Sequence, residues 1–163
     1  CHNLSSSLRE KFEWKITCGI LFNHESEFRP DTYLIMKIVN SAIEIKDGKS
    51  KSLTVGSLDL IRDWGYVGDV ALAMKIINEN NLSTDYAIGT GKGKSIEDII
   101  KLVFQYLDLN YEKYISIDTS ILRNNEPLKI ISNPKKIKEE QNWQSITKFE
   151  DVIIRTIKYK QTK

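Results

Sequence analysis

Ile16-Thr17-Cys18-Gly19-Ile20-Leu21-Phe22 runs directly into Asn23-His24-Glu25-Ser26, and Arg29 follows three residues later. The first seven residues are apolar or β-branched and read as a buried strand. The polar cluster then sits at the strand's C-terminal end. In open α/β sheets ligands bind in the crevice outside the carboxyl ends of the strands, so Asn23, His24 and Arg29 stand where chemistry is usually done.

Working outward from this stretch, strands and helices alternate. Residues 2–14 read as the end of a helix carrying Leu4, Leu8 and Phe12. Residues 33–46 form an amphipathic helix, with Leu34, Ile35, Ile38, Val39, Ala42 and Ile45 on one face. Asp47-Gly48 stops it. Ser52 to Val55 is a short strand ending at Gly56. Residues 67–80 predict another helix, with Val67, Val70, Ala71, Met74 and Ile77 inward. Asp85 to Ile88 is a strand, and Ser95 with Asp98 is a capping box opening a helix on Ile96, Ile99, Ile100, Val103 and Leu107. Asn133-Pro134 reads as an N-cap followed by proline at the first helical position. Thr147 with Glu150 reads as a second capping box, opening a last helix on Phe149, Val152, Ile153 and Ile157. The alternation predicts an α/β fold.

A chain of 163 residues is one ordinary domain, long enough to bury a core. Its net charge of +2 is too small to argue for nucleic acid or an anionic membrane. Lys135-Lys136-Ile137-Lys138 lies beside Glu139 and Glu140 and reads as a solvated helix face. Cys1 and Cys18 give no disulfide framework, and Cys18 is expected as a buried thiol of a reducing cytoplasm. His2 and His24 without a Cys-x-x-Cys spacing argue against a zinc site. No apolar run approaches the roughly 20 residues that span a bilayer, and no signal-peptide pattern opens the chain. The chain starts at Cys1 and nothing ahead of its first strand could bind a cofactor, so it reads as the back part of a larger enzyme.

Each candidate residue has a plainer alternative. His24 could be a capped or core histidine. Arg62-Asp63-Trp64-Gly65 could be a structural Arg–Asp pair under a tryptophan lid; alternatively Arg62 grips a phosphate with its planar fork of donors. Arg123 and Glu126 could be a surface pair, or a second phosphate grip with an acceptor for ribose hydroxyls. Lys37 alone reads as solvated. Gly89-Thr90-Gly91-Lys92-Gly93-Lys94-Ser95 imitates a phosphate-binding P-loop, but the register fails. That motif needs a glycine at position 88, which is Ile88, and the shift reshapes the ring of backbone N–H groups.

Gly-Ile-Leu-Phe-Asn-His-Glu-Ser at 19–26, Gly56-Ser57-Leu58-Asp59 with Arg62-Asp63-Trp64-Gly65, and Tyr86-Ala87-Ile88-Gly89-Thr90-Gly91 before a serine-capped helix resemble GDP-mannose 4,6-dehydratases. These are extended short-chain dehydrogenase/reductase enzymes. The similarity continues through Arg123, Glu126 and Pro134 to Asn142-Trp143. It implies the C-terminal part of a Rossmann-type parallel sheet plus a small α/β substrate-binding domain over residues 1–163, the cofactor-binding half lying upstream. It also implies a reaction on GDP-mannose in which NADP takes hydride from C4, water leaves across C5 and C6, and the hydride returns to C6. A 4-keto group acidifies the C5 proton, so a general base and acid complete the elimination.

By matched position, His24 and Arg29 are implied to contact the cofactor. Lys37, Gly56, Arg62, Arg123 and Glu126 are implied to hold the GDP moiety. The family's catalytic tyrosine, lysine, threonine and glutamate fall before Cys1 in register, so no catalytic residue is assigned and the chain alone is expected to be inactive. A homo-oligomer is implied for the full-length enzyme. Several positions depart from the family pattern: Cys18 replaces an asparagine, Glu27-Phe28 replaces Pro-Arg, Met36 replaces a basic residue, and Asn124-Asn125-Glu126-Pro127 replaces Pro-Thr-Glu-Val. Two other readings remain: a stand-alone GDP-sugar-binding module, and a P-loop phosphotransferase using ATP and magnesium. A truncated sheet would expose an edge strand near residues 16–22.

Overall fold

The computed structural model describes residues 2–162; Cys1 and Lys163 lie outside them. The chain runs α1 (His2–Phe12), β1 (Gly19–Leu21), β2 (Asn23–Glu25), α2 (Leu34–Lys46), β3 (Leu53–Val55), β4 (Ile61–Tyr66), α3 (Val67–Glu79) and β5 (Tyr86–Ile88). It continues through β6 (Gly93–Ser95), α4 (Ile96–Tyr106), β7 (Ile115–Ile117), β8 (Lys129–Ile130), α5 (Lys135–Gln141) and α6 (Phe149–Gln161). Strands β1 and β5, β2 and β4, β3 and β7, and β4 and β8 pair in parallel, while β4 and β6 are antiparallel. Parallel pairing needs long crossovers, and the helices supply them.

Two apolar clusters hold the elements. The larger joins α2, α4 and α6 to β3 through Ile38, Val39, Ile100, Phe104, Ile153 and Ile157, with Trp64 of β4 at its edge. The expected stripe of α4 is buried throughout, and Ser95 caps it: the Asp98 N–H donates to Ser95 Oγ (3.0 Å) and the Ser95 N–H to Asp98 Oδ2 (2.8 Å). The smaller cluster packs Val70 and Ala73 of α3 against Tyr86, Ile88, Ile137 and Trp143.

The opening stretch is not one buried strand. Its paired part is Gly19–Leu21, Ile20 and Leu21 are exposed, and Cys18 is only half-buried. The reason is a change of partner. The Phe22 N–H still donates to Ile88 O (3.1 Å), but from Asn23 the chain pairs with β4 instead of β5. The polar tip is therefore a second strand rather than a loop. Among the described residues β1 has a neighbour on one side only.

Two further expectations shift for one reason, the demand of a buried carboxylate for donors, and a third shifts by a single residue. On α3 the inward positions are Asp69, Val70 and Ala73, while Val67, Ala71 and Met74 face outward. Asp69, 6% exposed, accepts from Ser145 Oγ, the N–H groups of Ile146 and Thr147, and Thr147 Oγ1. Thr147 is thereby withdrawn from the predicted cap, and α6 starts after Lys148 without a side-chain cap. The N-cap of α5 is Pro134, one residue later than read, with Asn133 Oδ1 accepting from the Lys135 N–H (3.2 Å).

Asp63, 1% exposed, does the same for the glycine-rich loop. It accepts the N–H groups of Thr90 (2.9 Å), Gly91 (2.9 Å) and Ser132 (3.1 Å), and both hydroxyls of Thr90 and Ser132. The loop amides a phosphate would need are spent on an internal anion. Gly93–Ser95 is a strand, and Lys94 Nζ is bound to Glu150 Oε1 (2.7 Å). This excludes the P-loop phosphotransferase.

Asp63→Ala leaves several buried donors without an acceptor, each costing about 1–3 kcal/mol. We expect it to lower unfolding stability by more than about 3 kcal/mol in urea titration. A loss under about 1 kcal/mol would show that the loop is held by other means.

Candidate functional site

A cleft of about 940 Å³ opens between β2, β4 and the N-terminus of α2, under the segment around residues 121–126. That volume accommodates a nucleotide-sized ligand. Arg29, Lys37, Gly56, Arg62, Arg123 and Glu126 all line it, together with Asn23, Glu25, Tyr33 and Trp64. Six of the seven residues singled out from sequence are thus gathered around one space.

His24 is the exception. Side chains alternate along a strand, so Asn23 and Glu25 face the cleft and His24 faces the other side of β2. Its Nδ1 lies 2.9 Å from the Phe22 carbonyl, which can only accept, so Nδ1 carries a proton. The polar tip reaches the cleft through Asn23, Glu25 and Arg29 instead.

Arg29 is fixed from three directions. Nη1 donates to His24 O (2.6 Å), the guanidinium lies 3.8 Å above the Tyr33 ring, and Nε stands 3.2 Å from Glu25 Oε2. Glu25 is 2% exposed, and neither its Oε2 nor Arg29 Nε makes a well-directed hydrogen bond. Burial pushes the Glu25 carboxyl from 4.5 up to about 7, with the Arg29 charge pulling partly back. Lys37, one turn beyond Tyr33 on α2, is exposed and has no ion pair among the described residues.

Arg62 neither pairs with Asp63 nor stands free. Alternation on β4 sends Asp63 to the glycine loop and Arg62 into the cleft. There Arg62 forms an ion pair with Glu126 and donates to Ile61 O (2.7 Å) and Leu128 O (3.3 Å). Arg123 is exposed and does not pair with Glu126; its carbonyl accepts the Glu126 N–H (3.2 Å). Gly56 lets this segment close over the cleft. A Cβ there would stand 2.7 Å from Leu122 Cδ2. Four cations thus face two carboxylates, one of them poised to be neutral near pH 7, and this balance suits a diphosphate.

Sequence reading quoted Glu25 but gave it no role. The signal available was its spacing of four from Arg29; its burial follows only from the β2–β4 pairing. On another face, His2 Nδ1, Cys18 Sγ and an Asp85 oxygen lie within 4.8 Å of one another. Arg9 already grips both Asp85 oxygens (2.6 and 3.2 Å) and holds that carboxyl below the usual range.

A family model for GDP-mannose 4,6 dehydratase matches residues 1–156. The chain belongs to that family. GDP-mannose 4,6 dehydratase 2 of Arabidopsis thaliana is 32% identical over 152 residues, covering 93% of this chain and 41% of that protein. The GDP-mannose 4,6 dehydratase of Dictyostelium discoideum is 29% identical over 162 residues (89% of this chain, 46% of that protein), and the human one 25% over 164 (90% and 44%). The chain spans under half the length of these relatives. Among solved structures it is similar to RMD from Pseudomonas aeruginosa complexed with NADPH, at TM-score 0.85 and 18% identity over 98% of this chain and 52% of that one. It is equally similar to dTDP-glucose 4,6-dehydratase from Bacillus anthracis in complex with NAD, at TM-score 0.85 and 18% identity over 99% and 49%. At such identity the likeness establishes the shared Rossmann-type α/β fold. No helix among the described residues is long and apolar enough to cross a membrane.

The Glu25 carboxyl makes stability pH-dependent in a defined direction. Its folded value lies above the unfolded one, so the folded state holds the proton more tightly and stability falls as pH rises from about 4.5 to about 7. The full span corresponds to roughly 3 kcal/mol. Glu25→Gln removes this titration. Its stability relative to the parent should improve by about 2–3 kcal/mol between pH 5 and pH 8 in urea titrations. A pH-independent difference would contradict the assignment.

Proposed function

We propose that this chain forms the nucleotide-sugar-binding part of a GDP-mannose 4,6-dehydratase. The observation that carries the reading is the convergence of Arg29, Lys37, Gly56, Arg62, Arg123 and Glu126 on one cleft. The cationic side chains supply charge for the diphosphate, and Arg62 offers a planar fork matched to phosphate oxygens. Glu126 supplies an acceptor for ribose hydroxyls, and its hold on Arg62 keeps that fork oriented.

NADP, when bound, would supply the redox chemistry, accepting hydride from C4 of the mannosyl unit and returning it to C6. His24 and Arg29 are the residues proposed to touch it. The fit is partial: both offer polar groups suited to a phosphate, but the chain's own glycine-rich loop is committed to Asp63. The proposed work of these residues is binding and orientation, with acid–base groups provided from outside them. The full enzyme is proposed to convert GDP-mannose to GDP-4-dehydro-6-deoxy-mannose as a homo-oligomer in the cytoplasm, with neither nucleic acid nor membrane as a partner. A stand-alone GDP-sugar-binding module is the second reading, favoured by a cleft built wholly within these residues.

Calorimetric titration with GDP-mannose, without NADP, tests both. Arg62→Ala should weaken binding by roughly 1.5–3 kcal/mol, the range for hydrogen bonds to charged groups. Unchanged affinity would remove Arg62 from the site. The purified chain should show no dehydratase turnover; detectable product would refute the assignment of catalysis to groups outside it. Micromolar binding by the chain alone would favour the module.

A further inference from the structure

Among the described residues Glu25 is the one carboxylate of the cleft wall that is almost completely buried, and its Oε2 is unsatisfied. Its nearest counter-charge, Arg29, is a poor partner at Nε (3.2 Å) yet cannot swing closer. The guanidinium is pinned by His24 O and stacked on Tyr33, and no hydrogen bond among the described residues uses Nη2. We propose that Glu25 and Arg29 form a proton-linked anion site, in which a phosphate ester docking against Arg29 draws a proton from solvent onto Glu25.

The balance is simple. A phosphate beside Arg29 takes over the guanidinium's charge and adds a second anion next to Glu25. Two like charges in a poorly solvated wall disfavour each other, and the carboxylate relieves the conflict by protonation. The burial-raised value of Glu25 places that uptake within reach of neutral pH. Surrounding charges leave Glu25 as the group that responds. From α2, Lys37 faces the same cleft; from β4, Arg62 is committed to Glu126, and Tyr66, opposite Glu25, is bound by Arg155 of α6. Asp69 of α3 is saturated by the 145–147 turn, and Lys160 of α6 pairs with Asp31. Glu27, two residues on, lines a separate small pocket beside Phe28 and Tyr159.

The shared chemistry is a phosphate diester, offered by a nucleotide sugar or by a dinucleotide. The choice of the first ligand rests on the function proposed above. GDP-mannose and NAD carry only diester phosphates, whose charge is fixed between pH 6 and 8. Binding of each is measured calorimetrically from pH 6 to 8, at every pH in two buffers of different ionisation enthalpy. Affinity should rise about tenfold from pH 8 to pH 6.5, with net proton uptake at pH 8. Glu25→Gln should bind without pH dependence, at the affinity the parent reaches at low pH. GDP-mannose binding without proton uptake overturns this site and leaves the functional reading intact. NAD binding with uptake, and no GDP-mannose binding, supports the site and overturns that reading. No binding of either at millimolar concentration overturns the site. The parent measurements stand alone if the variant does not fold.

Discussion

The Asp63 carboxylate sits inside the molecule with five donors around it, drawn from Thr90, Gly91 and Ser132. An ionised group at that depth is tolerable only when its lone pairs are filled, so its position dictates where two distant segments must come. It also sets the cleft. Successive side chains of a strand point to opposite faces, and fixing Asp63 toward the glycine loop fixes Arg62 toward the cleft. Asp69, in the first turn of α3, repeats the device, tying the 145–147 turn to α3 and setting the approach of α6. The scaffold of the site is thus organised by two internal anions, and the site itself by cations.

That separation of charge explains how a chain with a net charge of only +2 presents a cationic cleft. Most of its carboxylates are spent elsewhere, on loops, caps and surface pairs, while Arg29, Lys37, Arg62 and Arg123 face one space in which Glu25 and Glu126 offset only part of their charge. Within that space Arg62 is already held by Glu126 and two carbonyls, so its fork is oriented before any ligand arrives. Preorganisation of this kind lowers the entropy lost on binding. Gly56 serves the same end, since a Cβ there would crowd the Leu122 and Ile121 side chains of the covering segment.

Local chemistry was legible where it was self-contained. The Ser95–Asp98 box, the buried stripe of α4 and the apolar face of α2 are set by periodicity within a few residues, and each stands where its pattern puts it. The faulty P-loop register was legible as well, although the deeper reason, amides already bound to Asp63, was not. Thr147 shows the opposite case. Its sequence context is a good cap, but Asp69 comes from 78 residues away and offers it a stronger partner. The inward face of α3 was misread for the same reason, because burying Asp69 beside Val70 and Ala73 turns Val67, Ala71 and Met74 outward.

The sequence by itself determined the α/β class and the family, and the resemblance to that family singled out Arg29, Lys37, Arg62 and Arg123, since these follow from short-range patterning and from motifs the chain largely keeps. Only the tertiary structure decided which side of each strand those residues face. It turned His24 away from the cleft and Glu25 into it, and it joined Arg62 to Glu126 rather than to Asp63. The physical reason is that strand pairing fixes side-chain direction: a switch of partner from β5 to β4 at Phe22 is invisible in composition, yet it settles every orientation that follows.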